Sequence, residues 1–381
     1  MPALDVAIVG AGPVGATLAV LAAGSGLRIA LFEARSGPSH DKRTLALSDA
    51  SRERLEEAKA WPREAATAIT SIHISQRGGP GRTLLQASEQ GLPALGYTVA
   101  YAALEASLDA RLAAAGIAVT YGAQCEGIEL AGDAARLRFA SAETVDASLL
   151  VLADGGANAS RIPGIAFMEK DYRQRAVVGA VRCDRPHGGR AYERFTPRGP
   201  MALLPVEDRY ALVWTAAPAE ADRLLALDEP SFLAELQEAF GDRAGRFVGV
   251  ADRASFPLKL RAVNTPVALR TAIVGNAAQA LHPIAGQGLN LGLRDAATLA
   301  AILLATRPAR VGEPEMLQAY RDARRRDASR GIAFTDFLVS LFSDTRAITT
   351  WGRGLGLAAL DLFPPARRMF AERMIHGSPA P

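Results

Sequence analysis

The chain has 381 residues, of which 49% are hydrophobic and 22% charged, with 43 basic and 40 acidic side chains giving a formal net charge of +3. That balance excludes a disordered chain and suffices for one large or two ordinary domains, while the absence of a long basic block, an RNA-binding aromatic signature or a zinc-spaced Cys/His set argues against a nucleic-acid partner and a metal site. Two lone cysteines (Cys125, Cys183), no charged leader ahead of the first strand and no apolar run of about 18 residues point to a cytoplasmic protein without disulfides or a membrane span.

From the start of the chain, Leu4-Asp5-Val6-Ala7-Ile8-Val9 reads as a short buried strand. The turn Gly10-Ala11-Gly12-Pro13-Val14-Gly15 follows at once, and residues 16–23 are a small, apolar, helix-forming run ended by Gly24, Ser25 and Gly26. The next strand is Arg28-Ile29-Ala30-Leu31-Phe32, with Glu33 at its tip and Ala34 just beyond. This is the order of a dinucleotide site. Gly10 permits the turn, Gly12 lets a pyrophosphate approach, Gly15 lets the helix pack on the strand, and Glu33 accepts hydrogen bonds from ribose hydroxyls. The contact set expected here is Gly10, Gly12, Pro13, Val14, Gly15, Glu33 and Ala34. The fingerprint does not separate NAD from FAD, because both present an ADP half.

Further along, Thr70-Ser71-Ile72-His73-Ile74-Ser75 alternates as a strand does, as do residues 176–181 and 210–214. Between them Ser148-Leu149-Leu150-Val151-Leu152-Ala153 is an apolar strand running into Asp154-Gly155-Gly156. An acid and a glycine at a strand end can lie beside a phosphate or a nicotinamide path, though they are equally ordinary loop chemistry. Near the far end, the strand-like Thr271-Ala272-Ile273-Val274 leads into residues 275–290, a run with three glycines and a proline, and then into a helical pattern from Leu291 to Ala300. Glycines at a strand-to-helix junction let the backbone approach a bound group, and the helix start offers N–H donors and the positive end of the dipole. No second glycine fingerprint follows a strand, so no separate nicotinamide domain is expected. Residues 331–375 read as mostly helical, with Phe334, Phe337, Leu338, Leu341 and Phe342 at helical spacing, a pattern of core packing.

These signals, in this order, resemble the single-component flavoprotein aromatic hydroxylases over essentially the whole chain. The resemblance is closest to the ubiquinone-biosynthesis hydroxylases. It rests on His282-Pro283-Ile284-Ala285-Gly286-Gln287-Gly288-Leu289-Asn290, on Lys42-Arg43-Thr44-Leu45-Ala46-Leu47-Ser48 and on Gly91-Leu92-Pro93-Ala94-Leu95-Gly96-Tyr97. The Gly-Asn-Ala-Ala-Gln form at 275–279 is similar to the branch that oxidises a 2-polyprenyl-6-methoxyphenol ring. Three departures stand out. Asn276 replaces a family aspartate that accepts a hydrogen bond from the ribityl chain, a change expected to weaken FAD binding by about 1 kcal/mol. Ala157-Asn158-Ala159-Ser160 is irregular where the family has a serine, and Ala100-Tyr101 stands where it has Glu-Asn.

The resemblance implies an α/β fold. A Rossmann-like FAD-binding domain is assembled from 1–68, 97–165 and 265–330, an inserted mixed β-sheet substrate domain from 69–96 and 166–264, and C-terminal helices from 331–381. It implies an FAD monooxygenase that uses NAD(P)H as co-substrate and O2 to hydroxylate the ring of a polyprenylated phenol through a C4a-hydroperoxyflavin. On this reading Arg43, Asp154, Gly155, Asn276, Pro283, Gly286, Gln287, Gly288, Leu289 and Asn290 join the cofactor contacts. Backbone N–H groups of Gly286, Gly288 and Leu289 stabilise charge on the reduced ring. His282 shapes the loop beside the flavin, and no catalytic base is assigned. A polyprenyl substrate implies contact with the inner face of the membrane or with other enzymes of ubiquinone biosynthesis. An apolar set, Leu355, Leu357, Leu360, Leu362 and Phe363 followed by Arg367 and Arg368, is a candidate surface for it, or else a cap on the fold. Two rivals stay open at this point: a flavin reductase or oxidase on the same scaffold, and an accessory subunit that binds FAD weakly or not at all. A halogenase is disfavoured because Trp61, Trp214 and Trp351 stand alone.

Overall fold

The structure, a computed structural model, describes residues 4–77, 81–281, 286–343 and 363. Its centre is a parallel sheet in the order Thr271–Ile273, Thr144–Leu152, Leu4–Val9, Ile29–Glu33, Val119–Tyr121. Val6, Ala7, Ile8 and Leu149 to Leu152 are buried without interruption. Such unbroken apolar runs follow from a sheet covered on both faces. One face carries the helices Pro13–Ala22 and Gln287–Ala305, which pack Ala16, Leu18, Leu293 and Ala296 against Val6, Ile8, Leu149 and Val151. The other carries the antiparallel strands Cys125–Leu130 and Ala135–Phe139, with Leu137 and Phe139 against Ala7, Val9, Leu150 and Leu152.

A second sheet of eight strands stands beside this body. Its spine is a pair of 17-residue antiparallel strands, Phe167–Cys183 and Phe247–Val263. They leave the parallel-sheet body at the pair Phe167/Val263 and end at Cys183/Phe247. Arg209–Ala216, Gly199–Val206, Arg190–Thr196, Ser71–Gln76 and Arg82–Gln86 continue the sheet to one edge, and Gln279–Ala280 closes the other. The expected strands at 176–181 and 210–214 fall within these elements, and the one at 70–75 does so from Ser71 onward, with Thr70 outside it. Two helices, Pro218–Ala226 and Glu229–Phe240, cover one face and bury Trp214, Met201, Leu203, Tyr192, Phe232 and Phe240. A three-stranded sheet, Thr44–Leu47, Gly96–Ala100 and Thr67–Ile69, lies between the two bodies, and Thr98 Oγ1 donates to Pro205 O of the larger sheet.

Residue 330 does not end an element, because the helix Pro314–Ser343 runs through it. Gly331 there lies against Leu291, whose Cδ2 is 3.5 Å from the place a Cβ would take. The side chains of the aromatic stripe at 334–342, and the apolar set at 355–362 with Arg367 and Arg368, lie outside what the structure describes; Phe363 is exposed. One described helix, Gln287–Ala305, is long and apolar enough to cross a membrane, contrary to the sequence expectation of no such run. Half of it is buried, and it packs on Pro13–Ala22 and Pro314–Ser343 with Asp295 inside, which is the environment of a core helix.

Candidate functional site

The glycine turn sits at the carboxyl end of the central strand. Gly10 has φ +105, and a Cβ there would lie 2.5 Å from Ala153 O and 2.8 Å from Asp154 N. Only glycine suits that conformation, and it seats the turn against the end of the strand Thr144–Leu152. Gly15 is equally constrained, with its Cβ position 2.1 Å from Gly10 O. Gly12 differs. Its backbone is ordinary extended chain (φ −67, ψ 178), and the nearest atom to a Cβ there is Tyr101 Oη at 3.7 Å. Nothing in the protein requires glycine at 12, so the open side fits an outside group, the cradle a pyrophosphate needs. Pro13 is buried in the first turn of the helix, and no side chain caps Gly12, so the first N–H groups of the helix stay available to an anion.

Glu33 ends the next strand and is buried. Its Oε2 accepts from Ala11 N–H (2.9 Å) and its Oε1 from Arg35 N–H (3.1 Å). Burial alone raises its pKa, but the Arg35 guanidinium and the two N–H donors outweigh burial and hold the carboxyl below its ordinary value. Arg35 also donates to Glu105 Oε1 (2.8 Å), a buried carboxylate of the helix Tyr101–Ala114 whose other oxygen takes Ser39 N–H (2.8 Å). The sequence reading named neither Arg35 nor Glu105, although an arginine two residues past the strand acid is a visible signal. Ala34 is exposed at the tip. Arg43 is paired with Asp41 (Nε to Oδ2, 2.8 Å), with its guanidinium carbon 5.8 Å from the ring centroid of Tyr101. Burial and the Glu105 carboxylate raise the Tyr101 phenol above its ordinary pKa.

Asp154 Oδ1 accepts from Gly156 N–H (2.9 Å), and Oδ2 from the backbone and side-chain nitrogens of Asn158 (2.9 and 2.7 Å). Those bonds fold the irregular Asp-Gly segment back on itself, and Gly155 is exposed at its tip with φ +72. Arg261, unnamed by the sequence reading, pins the segment by donating to Gly156 O (3.2 Å) while lying 3.6 Å from the Phe167 ring centroid.

At the third segment, Gly275 and Gly292 both close on Val14. Their Cβ positions would lie 3.1 and 2.8 Å from its methyl groups. Val14 therefore joins the glycine turn to the 275–290 run. Asn276 is exposed, with Oδ1 3.9 Å from the Cβ position of Gly288 at the start of the helix Gln287–Ala305. Gly286 is left-handed (φ +60), with its Cβ position 2.8 Å from the Ala46 methyl. Asn290 is buried and fully bonded within the protein. Its Oδ1 accepts from Ser48 N–H (2.9 Å) and Ser51 Oγ (2.7 Å), and its Nδ2 donates to Ala46 O (3.1 Å) and Gly286 O (2.7 Å). This side chain locks the 42–48 motif to the helix start. Gln287, Gly288 and Leu289 are part-buried beside it, and His282 and Pro283 lie outside the described residues.

A buried network below this loop was also unread in the sequence. Asp295 accepts from Gly275 N–H (2.9 Å), from Gln279 Nε2 and from Arg324 Nε (2.6 Å), and Arg324 and Arg294 share Asp327. Burial raises the Asp295 carboxyl above its ordinary value despite the Arg324 charge. Among the described residues no cluster of metal-ligating side chains occurs.

A sequence model of the FAD-binding domain matches residues 3–335. The chain is similar to ubiquinone hydroxylase UbiL of Rhodospirillum rubrum, 36% identical over 379 residues that cover 96% of this chain and 88% of the relative. It is also similar to 3-demethoxyubiquinol 3-hydroxylase of Escherichia coli, 30% identical over 375 residues and 94% of each chain. Its fold is like that of p-nitrophenol 4-monooxygenase PnpA from Pseudomonas putida, with a TM-score of 0.80 over 98% of this chain and 97% of that one, at 17% identity.

Proposed function

The chain belongs to the family of FAD-dependent hydroxylases of ubiquinone biosynthesis, and from that premise we propose that it hydroxylates the aromatic ring of a polyprenylated phenol with NAD(P)H and O2. The observation that carries this reading is the junction at Val14, where the glycine turn, Gly275 and Gly292 converge on one side chain. It makes one continuous rim of the turn suited to a dinucleotide and the loop expected at the ring end. That rim lies at the carboxyl ends of parallel strands, where such folds hold their ligands.

The open side of Gly12 and the first turn of Pro13–Ala22 receive the pyrophosphate, and Glu33, ionised and held by Ala11 and Arg35, takes the ribose hydroxyls. The exposed Asn276 carboxamide offers the ribityl chain an acceptor without a charge. The start of the helix Gln287–Ala305 turns its positive end toward the ring. FAD, once bound, would supply the redox chemistry that couples NAD(P)H and O2 to ring hydroxylation, with the second oxygen atom leaving as water. The inserted sheet excludes water and holds the phenol. Its edge strand Gln279–Ala280, paired with Arg261 and Ala262, ties that sheet to the loop at the ring.

The test is anaerobic reduction followed by turnover with 18O2 on a phenol carrying a short prenyl chain. We expect flavin bleaching by NADH or NADPH and one labelled oxygen in the ring. Bleaching without ring label would instead establish a reductase or oxidase. Failure to retain flavin at saturating FAD would establish the accessory subunit.

A further inference from the structure

The inserted sheet has two unlike faces. One is closed by the helices Pro218–Ala226 and Glu229–Phe240, against which Tyr192, Met201, Leu203, Leu212 and Trp214 pack. Strand alternation puts the residues between them on the other face. Across the middle of that face, the register runs Val178, Val213, Ala202, Glu193, Ile74, Thr83. No bulge interrupts the pairing of Arg190–Thr196 with either neighbour, so this placement is unambiguous. The face looks toward the FAD-binding body. Lys170, which the register puts on this face with Val178, donates to Asp336 of the helix Pro314–Ser343, and so does Tyr172.

Glu193 is the one carboxylate in that row. It is half-buried between Ala202 and Ile74 of the neighbouring strands and has no hydrogen bond or ion pair among the described residues. An acid in an apolar row with no internal partner has no structural task there, and stability alone would favour an aliphatic side chain. We propose that Glu193 is the catalytic proton acceptor for the phenol hydroxyl of the substrate, a role that rests on the hydroxylase reading above. The O–H proton passes to a Glu193 oxygen and the bonding pair stays on the substrate as phenolate, whose ring carbons are then electron-rich enough to take the oxygen atom. The ring carbon that gains oxygen loses its hydrogen to water as the ring regains aromaticity, and Glu193 returns its proton to the phenol oxygen.

The surroundings suit that task. Burial pushes the Glu193 carboxyl up to about 8, close enough to an ordinary phenol near 10 for efficient transfer. The charged and titratable groups nearby point elsewhere. Tyr192 and Arg194 of its own strand, His73 of Ser71–Gln76, Arg82 of Arg82–Gln86 and Tyr210 of Arg209–Ala216 lie on the helix-covered face. Tyr97 of the three-stranded sheet packs on Trp61, and Asp336 is held by Lys170 and Tyr172.

The test compares FAD-loaded wild type, Glu193→Gln and Glu193→Asp on two prenylated phenols, one ordinary and one carrying a nitro group so that it is already ionised at neutral pH. For the ordinary phenol, wild-type ring hydroxylation should rise with pH through an inflection near 8. Glu193→Gln should lose tenfold or more at pH 7, divert NAD(P)H oxidation to hydrogen peroxide and recover toward pH 10. Glu193→Asp should keep the inflection. On the ionised phenol, the wild-type inflection should vanish and Glu193→Gln should match wild type. A wild-type inflection that persists on the ionised phenol overturns the proposal, with no reliance on any variant folding. So does a Glu193→Gln enzyme with wild-type coupling and pH profile, and in both cases the hydroxylase reading stands. FAD-loaded wild type that hydroxylates neither phenol overturns the hydroxylase reading itself, and the role of Glu193 with it.

Discussion

Three glycines in one turn do three different jobs, and their surroundings separate them. Gly10 and Gly15 are needed by the protein, since a Cβ at either would collide with backbone. Gly12 has room for a side chain, and on the proposed reading only the ligand requires it to be glycine. Gly12→Val should therefore leave the stability of the FAD-free protein within about 1 kcal/mol of wild type while weakening FAD at least tenfold, read by urea titration and by flavin fluorescence quenching. Gly15→Ala should cost several kcal/mol of stability before any cofactor is added, by the cost of overpacking. Asn276 makes the converse case. Its Oδ1 lies near the start of a helix, where a negative charge gains roughly 0.3–1 kcal/mol. Asn276→Asp should tighten FAD about fivefold, the equivalent of about 1 kcal/mol. An unchanged Kd would show that the carboxamide does not touch the cofactor.

At the scale of elements, the loop at 275–290 is held from beneath by polar groups that sequence spacing does not expose. Asp295 reads in the chain as one polar position on an apolar helix. In the fold it is the acceptor for Gly275 N–H, Gln279 and Arg324, and so it joins the loop to two helices. Asp295→Ala would leave the Arg324 guanidinium buried without its carboxylate there, at a cost of about 3–5 kcal/mol, measurable as a lowered urea midpoint. Pairing it with Arg324→Met should recover part of the loss, because the uncompensated charge is gone. Asn290 shows the same principle at the other end of the loop. It was expected among the cofactor contacts, yet all its hydrogen-bonding capacity closes the 42–48 motif onto the helix start.

Across the whole molecule, the proposed FAD site draws on segments near residues 10, 33, 154 and 276, which belong to different strands of one sheet. A ligand bridging them stabilises the folded chain only. FAD at about one hundred times its Kd should add roughly 2.7 kcal/mol, seen as a rise in Tm that Gly12→Val abolishes at the same concentration. The segments at 10, 154 and 276 were legible in the chain because each is a local signal, a strand running into a glycine turn, and local signals survive without partners. The inserted sheet was legible only as alternating runs. Its order, with Arg190–Thr196 parallel to Ser71–Gln76 more than a hundred residues earlier, was not.

What the sequence determined by itself was the dinucleotide turn, the acid at the strand tip, the glycine-rich loop before the long helix and, through their order, the fold class. These depend on backbone conformations and periodicities that a few neighbouring residues dictate. Only the tertiary structure decided which of those residues serve the protein and which are left for a ligand. Gly12 and Gly15 look alike in the chain, and so do Asn276 and Asn290, but one of each pair is enclosed and one is open. Partners distant in sequence decide that difference: Arg35 with Glu105, Asp295 with Arg324, Asn290 with Ser48. So does the face of the sheet on which Glu193 stands, because burial and pairing are properties of assembled surfaces and not of segments.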